Sequence, residues 1–507
     1  MKKQTFATTL LALSVATSAF AGGILTNTNQ NIAFNRMMSR DGSIGIDGVY
    51  SNPAGVVFLS DGSHLSLNLQ TAQQTRTICN SYPLFAGNTN NQNTERRYKG
   101  TAFAPVIPSI MYAYNWKGFS FQGHFGITGG GGKCTFDDGL GSFEKIVSET
   151  ALGVCNLAGA IDNIASVYGV NTGLTEKFGK TGAYSYDSYM RGRQYYFGLS
   201  LGAAYKITPH FSAFAGVRGV YATSNYYGYV KDIKVGSVPL YTMLDPTKSN
   251  AADIELNCDQ SGIGFTPILG IDYKTGRWNF GVKYEFKTRI RLKTESVNRT
   301  PSIGNLPDNL INMGIPAAIV GSETVSGALL SLKTQFDSKL NQALGEFEDG
   351  QKIAGDLPAI LTVGVSYNPI DPLRVNAGFH YFFDKQASQY NHKEDLLKHG
   401  TVEYNAGVEY DACKLVTVSA GWQSTNYGLT KEYMDDKSFV TSSNSVGVGV
   451  ALHLSKKTTL NAAYFHTFYK HFNASEDVQL NQNTTIQYNS DFTRNNNVFG
   501  IGLDIDF

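Results

Sequence analysis

Along most of the chain, apolar and polar residues alternate. At the C-terminus Phe499, Ile501, Leu503, Ile505 and Phe507 alternate with Gly500, Gly502, Asp504 and Asp506. Val446, Val448, Val450, Leu452 and Leu454 alternate with Gly447, Gly449, Ala451, His453 and Ser455. Trp278, Phe280, Val282, Tyr284 and Phe286 do the same with Asn279, Gly281, Lys283, Glu285 and Lys287. A period of two marks a strand with two different faces. A β-sandwich would expose a polar face on shorter strands. An apolar face backed by small or polar residues instead suits a sheet with lipid on one side and a lumen on the other. The pattern predicts an all-β protein, a transmembrane antiparallel β-barrel.

Turn signals set the topology. Short connections fall at Trp116-Lys117-Gly118, Thr208-Pro209-His210, Thr275-Gly276-Arg277, Asn368 to Leu373, Asp411 to Lys414 and Lys456 to Thr458. Long ones fall near 79–105, 129–190, 237–260, 298–356, 390–401, 430–443 and 474–494. Short turns on one side and long loops on the other are the asymmetry of bacterial outer-membrane barrels. Six short and seven long connections give about fourteen strands, an even number as such barrels require. Two loops carry helical periodicity. Val325, Leu329, Leu332, Phe336, Leu340, Leu344 and Phe347 are spaced by threes and fours, as are Leu157, Ile161, Ile164 and Val167. Amphipathic helices are expected there, packed on one another or forming an apolar groove over the barrel mouth.

Composition narrows the class. Beyond the N-terminus no stretch is apolar for about 20 residues, which excludes a helical membrane protein. The chain holds 53 Gly, 29 Tyr and 30 Phe, an enrichment that suits a barrel with aromatic belts. Lys2 and Lys3, the apolar run Leu10 to Ala16 and Ala19-Phe20-Ala21 read as a secretory signal spanning 1–21. Its removal takes the formal charge from +1 to −1, so nothing favours nucleic acid. Residues 22–62 then precede the barrel of 63–507.

That N-terminal stretch contains NRMMSRDGSIGIDGVYSNPAG, Asn35 to Gly55. It is too short to fold alone and ends in a compact turn, with Asn52 able to cap, Pro53 fixing φ and Gly55 permitting positive φ. An Asn52-Pro53-Ala54 turn in a polar segment ahead of a barrel resembles the FadL family, outer-membrane transporters for long-chain fatty acids and aromatic hydrocarbons. The resemblance rests on this motif and the layout; the loops align with no motif. It implies that residues 22–62 form a hatch inside the barrel. It implies fourteen strands, a hydrophobic ligand caught by the outer loops, and passive release through the barrel wall after the hatch N-terminus, Gly22 to Thr26, shifts. The third strand of the family is kinked to open that wall. Here the third strand begins Phe119 to Thr128 and carries Gly123 and Gly126, either of which permits a kink or makes room for the hatch.

Candidate chemistry is sparse. Alternation from Trp278 places Lys283, Glu285, Lys287, Arg289, Arg291 and Lys293 inward, with Arg218 inward on a neighbouring strand. Arg218, Lys283, Lys287 and Arg289 are candidates to receive a ligand carboxylate; the alternative is a structural network with acids such as Asp41 and Asp47. Cys79, Cys134, Cys155 and Cys258 fall in outer loops, which permits two disulfides. Cys134 with Cys155 would staple one loop, leaving Cys79 with Cys258, but three pairings are possible. Cys413 lies in a short turn and is expected unpaired. No CxxC spacing marks a metal site. The run Gly129 to Cys134 fails as a phosphate loop, because Ile127 and Cys134 replace its first Gly and its Ser or Thr. No nucleophile signature marks an enzyme, and no cofactor is expected.

The expected setting is a Gram-negative outer membrane, with lipid and lipopolysaccharide around a monomer. Phe507 resembles the C-terminal signal read by the barrel assembly machinery. Two other readings are a general porin for hydrophilic solutes, which needs no polar segment of this length before its first strand, and a surface adhesion protein acting through its loops.

Overall fold

The alternating segments become fourteen antiparallel strands in one closed sheet. The computed structural model describes residues 24–507 apart from 302–305, 324, 328, 331–333, 335–344 and 482. β1 (Gly62–Ser81), β2 (Glu95–Trp116), β3 (Phe119–Phe136), β4 (Tyr184–Lys206) and β5 (Phe211–Val235) come first. β6 (Ile254–Thr275) follows, then β7 and β8, each in two pieces: Trp278–Glu285 with Arg291–Ser296, and Lys352–Ala354 with Ile360–Ile370. β9 (Leu373–Phe382), β10 (Val402–Cys413), β11 (Val416–Asn426) and β12 (Ser443–Ser455) lead to β13 (Thr458–Tyr469 with Phe472–Asn481) and β14 (Thr484–Asp506). β14 pairs with β1 from His64↔Asp506 to Ser81↔Asn489 and closes the cylinder. Closure satisfies the outer strands' backbone groups without water, as a membrane demands.

Side chains sort by face as the period requires. Leu69, Leu199, Leu201, Phe265, Phe499 and Ile501 are exposed on the outside, while Asn68, Gln70, Thr266 and Asn496 are buried within. An exposed apolar belt of this extent fits contact with lipid. All six short turns lie at one end, where expected. The long connection expected near 474–494 is corrected: β13 runs to Asn481 and β14 starts at Thr484, so the strands occupy it as a hairpin.

Outer connections carry helices that pack on each other. Val147, Ile161, Leu174, Phe178, Leu310 and Ile319 belong to one buried cluster. Among the described residues the longest of these helices is Gly141–Val167. Leu157 and Ile161 are buried on it, while Val167 at its end is exposed. Its first turn has no cap of its own; Asp436 of a distant loop accepts the Ser142 N–H at 2.7 Å. Of the second expected helix, Val325 and Leu329 are buried and Phe347 closes a short 3-10 turn. Leu332, Phe336, Leu340 and Leu344 lie outside the described residues, as does the expected signal 1–21.

Two expectations are overturned. All five cysteines are free thiols, so Cys134–Cys155 and Cys79–Cys258 are not formed. Cys155 is buried in the helical cluster, whereas Cys134 and Cys258 belong to a different buried cluster over the barrel mouth. The second correction concerns alternation after Trp278. Between the pairs Ile268↔Glu285 and Ser261↔Lys293, β6 advances seven residues and β7 eight. The extra residue is a bulge that reverses the faces. Ile290, Leu292 and Thr294 are therefore buried, and Arg289, Arg291 and Lys293 point outward.

Candidate functional site

Residues 24–59 lie against the lumen side of the strands, nearly all buried. The short helix α1 (Ile32–Met37) is capped by Asn31, whose side chain accepts the Ala33 N–H at 2.6 Å, and stops where Met38 turns left-handed at φ 61°. Wall glycines let this segment approach. Gly281, Gly364 and Gly378 sit opposite one another on β7 to β9, and Gly407, Gly421 and Gly447 on β10 to β12. A Cβ on Gly364 or Gly421 would collide with the backbone of Asp41 or Met37.

Charge fixes the segment to β9 and β10. Glu409 takes Arg36 at 2.6 Å, Arg40 at 3.1 Å and Arg374 at 3.1 Å. Arg40 also grips Asp47 with two bonds of 2.7 and 2.9 Å. His380 stands between Asp41 at 2.8 Å and Glu403 at 2.9 Å. The structure places Asn52 with its amide donating to Asp272 at 2.6 Å and to Ser43 O at 3.3 Å. Gln122 donates to Pro53 O at 2.7 Å, and Ser212 donates to Ala54 O at 2.7 Å. The turn thus joins β3, β5 and β6.

The wall is incomplete between β2 and β3. Their pairing runs from Trp116↔Phe119 to Ile110↔Phe125 and resumes only at Ala102↔Cys134. Over this interval β3 also shifts register against β4, between Ile127 and Gly129 and again before Gly132. Gly130 at φ 89° and Gly132 at φ 67° adopt the left-handed backbone that explains the glycine run. The kink therefore lies beyond Gly123, which is paired on both sides with Tyr112 and Leu201. Gly126 borders the gap, and a side chain there would strike that of Gln30.

The N-terminal segment fills the gap. Thr26 bridges Gly129 in an antiparallel pair. Asn27 N donates to Thr128 O and Gly130 N to Leu25 O, both at 2.9 Å. The side chains of Asn27 and Gln30 donate to Ile127 O at 2.9 and 2.8 Å, and Ser109 donates to Gln30 O. Phe103 and Val106, about 62% and 59% exposed, flank the outer side. The amide-rich run Thr26 to Asn31 was the sequence signal for this contact.

Above the segment, Leu25, Tyr196, Tyr226, Leu292, Ile353 and Tyr390 line a cavity with Gln194, Gln260 and Lys393. The cations expected to take a carboxylate are not assembled there. Arg218 at 2.6 Å and Lys283 at 2.8 Å share Glu285, Lys287 faces Asp356 at 3.7 Å, and Arg289 is turned out by the bulge. In the outer loops, burial pushes the Asp384 carboxyl up to about 6, although Thr401 and Ile24 donate their backbone N–H to it. Burial and the neighbouring Asp435 push Asp436 up to about 7. Among the described residues no group of His, Cys, Asp or Glu is placed to hold a metal ion.

No protein-family model and no curated protein matches this sequence. Among solved structures the chain is similar to a Pseudomonas aeruginosa FadL homologue, with a TM-score of 0.61 at 14% identity over 96% of this chain and 100% of that one. It is also similar to the Pseudomonas putida toluene transporter TodX, with a TM-score of 0.51 at 13% identity over 97% of this chain and 100% of the other. At this identity the likeness is one of fold, and the fold is FadL-like.

Proposed function

We propose that the protein is a Gram-negative outer-membrane channel for hydrophobic small molecules, which it releases sideways through the wall between β2 and β3. The observation that carries this reading is the unpaired interval of that wall, occupied by residues 24–30. An apolar solute gains by leaving directly into lipid rather than through water. Residues 24–59 act as the hatch, and the cavity above Leu25 is where ligand waits. The toluene transporter of the same fold supports hydrophobic compounds as the solute class. The sharing of Glu285 by Arg218 and Lys283 favours uncharged solutes over carboxylates. A porin reading has less support, because the segment with the Arg36, Arg40 and Asp41 contacts lies across the axial path.

Five hydrogen bonds hold residues 25–30 in the gap. At about 1 kcal/mol each they favour the closed state by roughly 5 kcal/mol, so the open state is about one part in several thousand. Ligand pressing on Leu25 shifts that balance only by binding the open form better. Asn27→Ala with Gln30→Ala removes two of the bonds and should raise opening about tenfold or more. The test measures uptake of a fluorescent hydrophobic dye into proteoliposomes beside its binding to the protein. Faster uptake at unchanged binding is expected. Unchanged uptake, with hydrogen exchange showing residues 24–30 released, would reject the lateral route.

A further inference from the structure

On the outward face of the wall, just above the gap, two like charges stand directly opposite each other. Lys133 on β3 pairs in register with Arg193 on β4, and both side chains are exposed. The Cβ atoms of residues so placed lie about 5 Å apart, and like charges directly opposite repel. Arg191, two residues further out on β4, adds a third cation over the ring of Tyr227. None of the three forms an ion pair among the described residues. The nearest acid along the row is Asp259, one strand beyond Asn225. Asn225 donates to that acid at 2.9 Å and accepts from Arg191 at 3.0 Å, so the amide stands between the acid and the cations.

The surroundings define what would neutralise them. Directly below on the same face lie the half-buried Tyr195 and Phe197 and the exposed Leu199 and Tyr221 of the apolar belt. Lys133 is also the first residue beyond the glycine run, beside the point where β3 rejoins β2 at Ala102↔Cys134. A ligand here needs an anionic group at the cations and apolar chains running down the wall. Two guanidinium groups and one ammonium offer the forked and point donors that phosphate oxygens accept.

We propose that Lys133, Arg191 and Arg193 bind the phosphate headgroup of a membrane lipid, which thereby stands at the upper rim of the wall gap. The site rests on this wall facing lipid and not on the identity of the transported solute. A lipid held there keeps acyl chains against Phe103 and Val106, the exposed side chains beside the gap. A phosphate between Lys133 and Arg193 offsets their repulsion, so the two cations favour an occupied site.

The experiment counts lipid bound to the full-length barrel by native mass spectrometry in a neutral detergent. The probes are phosphatidic acid, diacylglycerol with the same chains, and inorganic phosphate. Phosphatidic acid should bind, and the other two should bind at least about tenfold more weakly. Lys133→Gln with Arg193→Gln should weaken phosphatidic acid about tenfold or more. Lys231→Gln, on the same wall but already paired with Asp187 at 3.3 Å, should leave it unchanged. Heat-modifiable gel mobility checks that each variant is folded. Equal binding by the folded double variant, or by diacylglycerol, overturns the site. Equal binding by inorganic phosphate overturns the lipid and leaves an anion site only.

Discussion

Replacing Glu409 by Ala tests what holds the N-terminal segment in the barrel. Glu409 is buried on β10 and faces three arginines: Arg36 at 2.6 Å, Arg40 at 3.1 Å and Arg374 at 3.1 Å. Without it, Arg40 keeps Asp47 and Arg374 keeps Asp411. Among the described residues Arg36 keeps only neutral acceptors, Asn461 at 3.2 Å and Ser419 at 3.0 Å. Leaving a buried cation without its carboxylate costs about 3–5 kcal/mol. That loss falls on release of the segment rather than on the wall, whose strands keep their ladders. Release should become more frequent by a factor of about 10² to several thousand. Amide exchange of residues 32–47 in the reconstituted protein reads this directly, with β10 and β11 as internal reference. Glu409→Gln, which keeps an acceptor of the same shape, should fall between the two. If the folded Ala variant exchanges residues 32–47 at the original rate, the ionic contact does not hold the segment.

Asn52→Ala removes the 2.6 Å bond to Asp272 and should loosen the turn by about 1–3 kcal/mol, seen as more frequent conductance steps in planar bilayers. Alkylation under denaturing conditions without reductant should add five labels, since all five thiols are free. In the folded protein only the exposed Cys79 and Cys413 should react. Asp384 gives a pH dependence: burial raises it from 3.8 to about 6, so the folded state holds its proton longer than the unfolded one. The Asp384 contribution to folding stability is then full below about pH 4, falls as pH rises to about 6, and is flat above. The denaturant midpoint of the barrel should follow that curve and lose its slope in Asp384→Asn.

The strands were legible because their outward side chains must be apolar wherever lipid is the solvent, and a period of two survives any loop. Trp278 to Glu285 shows the strength of that signal, and Phe286 to Arg291 its limit. Charged residues alternate with others on both sides of the bulge, so nothing local reports the reversal at Arg289. The Cys134–Cys155 and Cys79–Cys258 pairings went astray for another reason: an oxidising setting permits a disulfide, but only the distance between thiols decides it. Gly123 and Gly126 lie on the strand whose pairing is interrupted, yet its register shifts fall over Ile127 to Gly132. Their location depends on Asn27 and Gln30, a hundred residues earlier in the chain. Ion pairs such as Arg36 with Glu409 were likewise hidden, because partners this distant are joined only by closure of the sheet.

The paired glycines of β7 to β12 constrain the order of construction. Where Gly364 and Gly421 meet the Asp41 and Met37 backbones, the wall leaves no room for a side chain between them. The seam between β1 and β14 joins the first and last strands of the barrel, so it cannot form before the whole wall has been made. The N-terminal segment precedes every strand in the chain, so seating it against the open sheet avoids working it into so close a fit afterwards. On that order of construction, a variant that delays seating is expected to be trapped as an open sheet rather than an empty barrel.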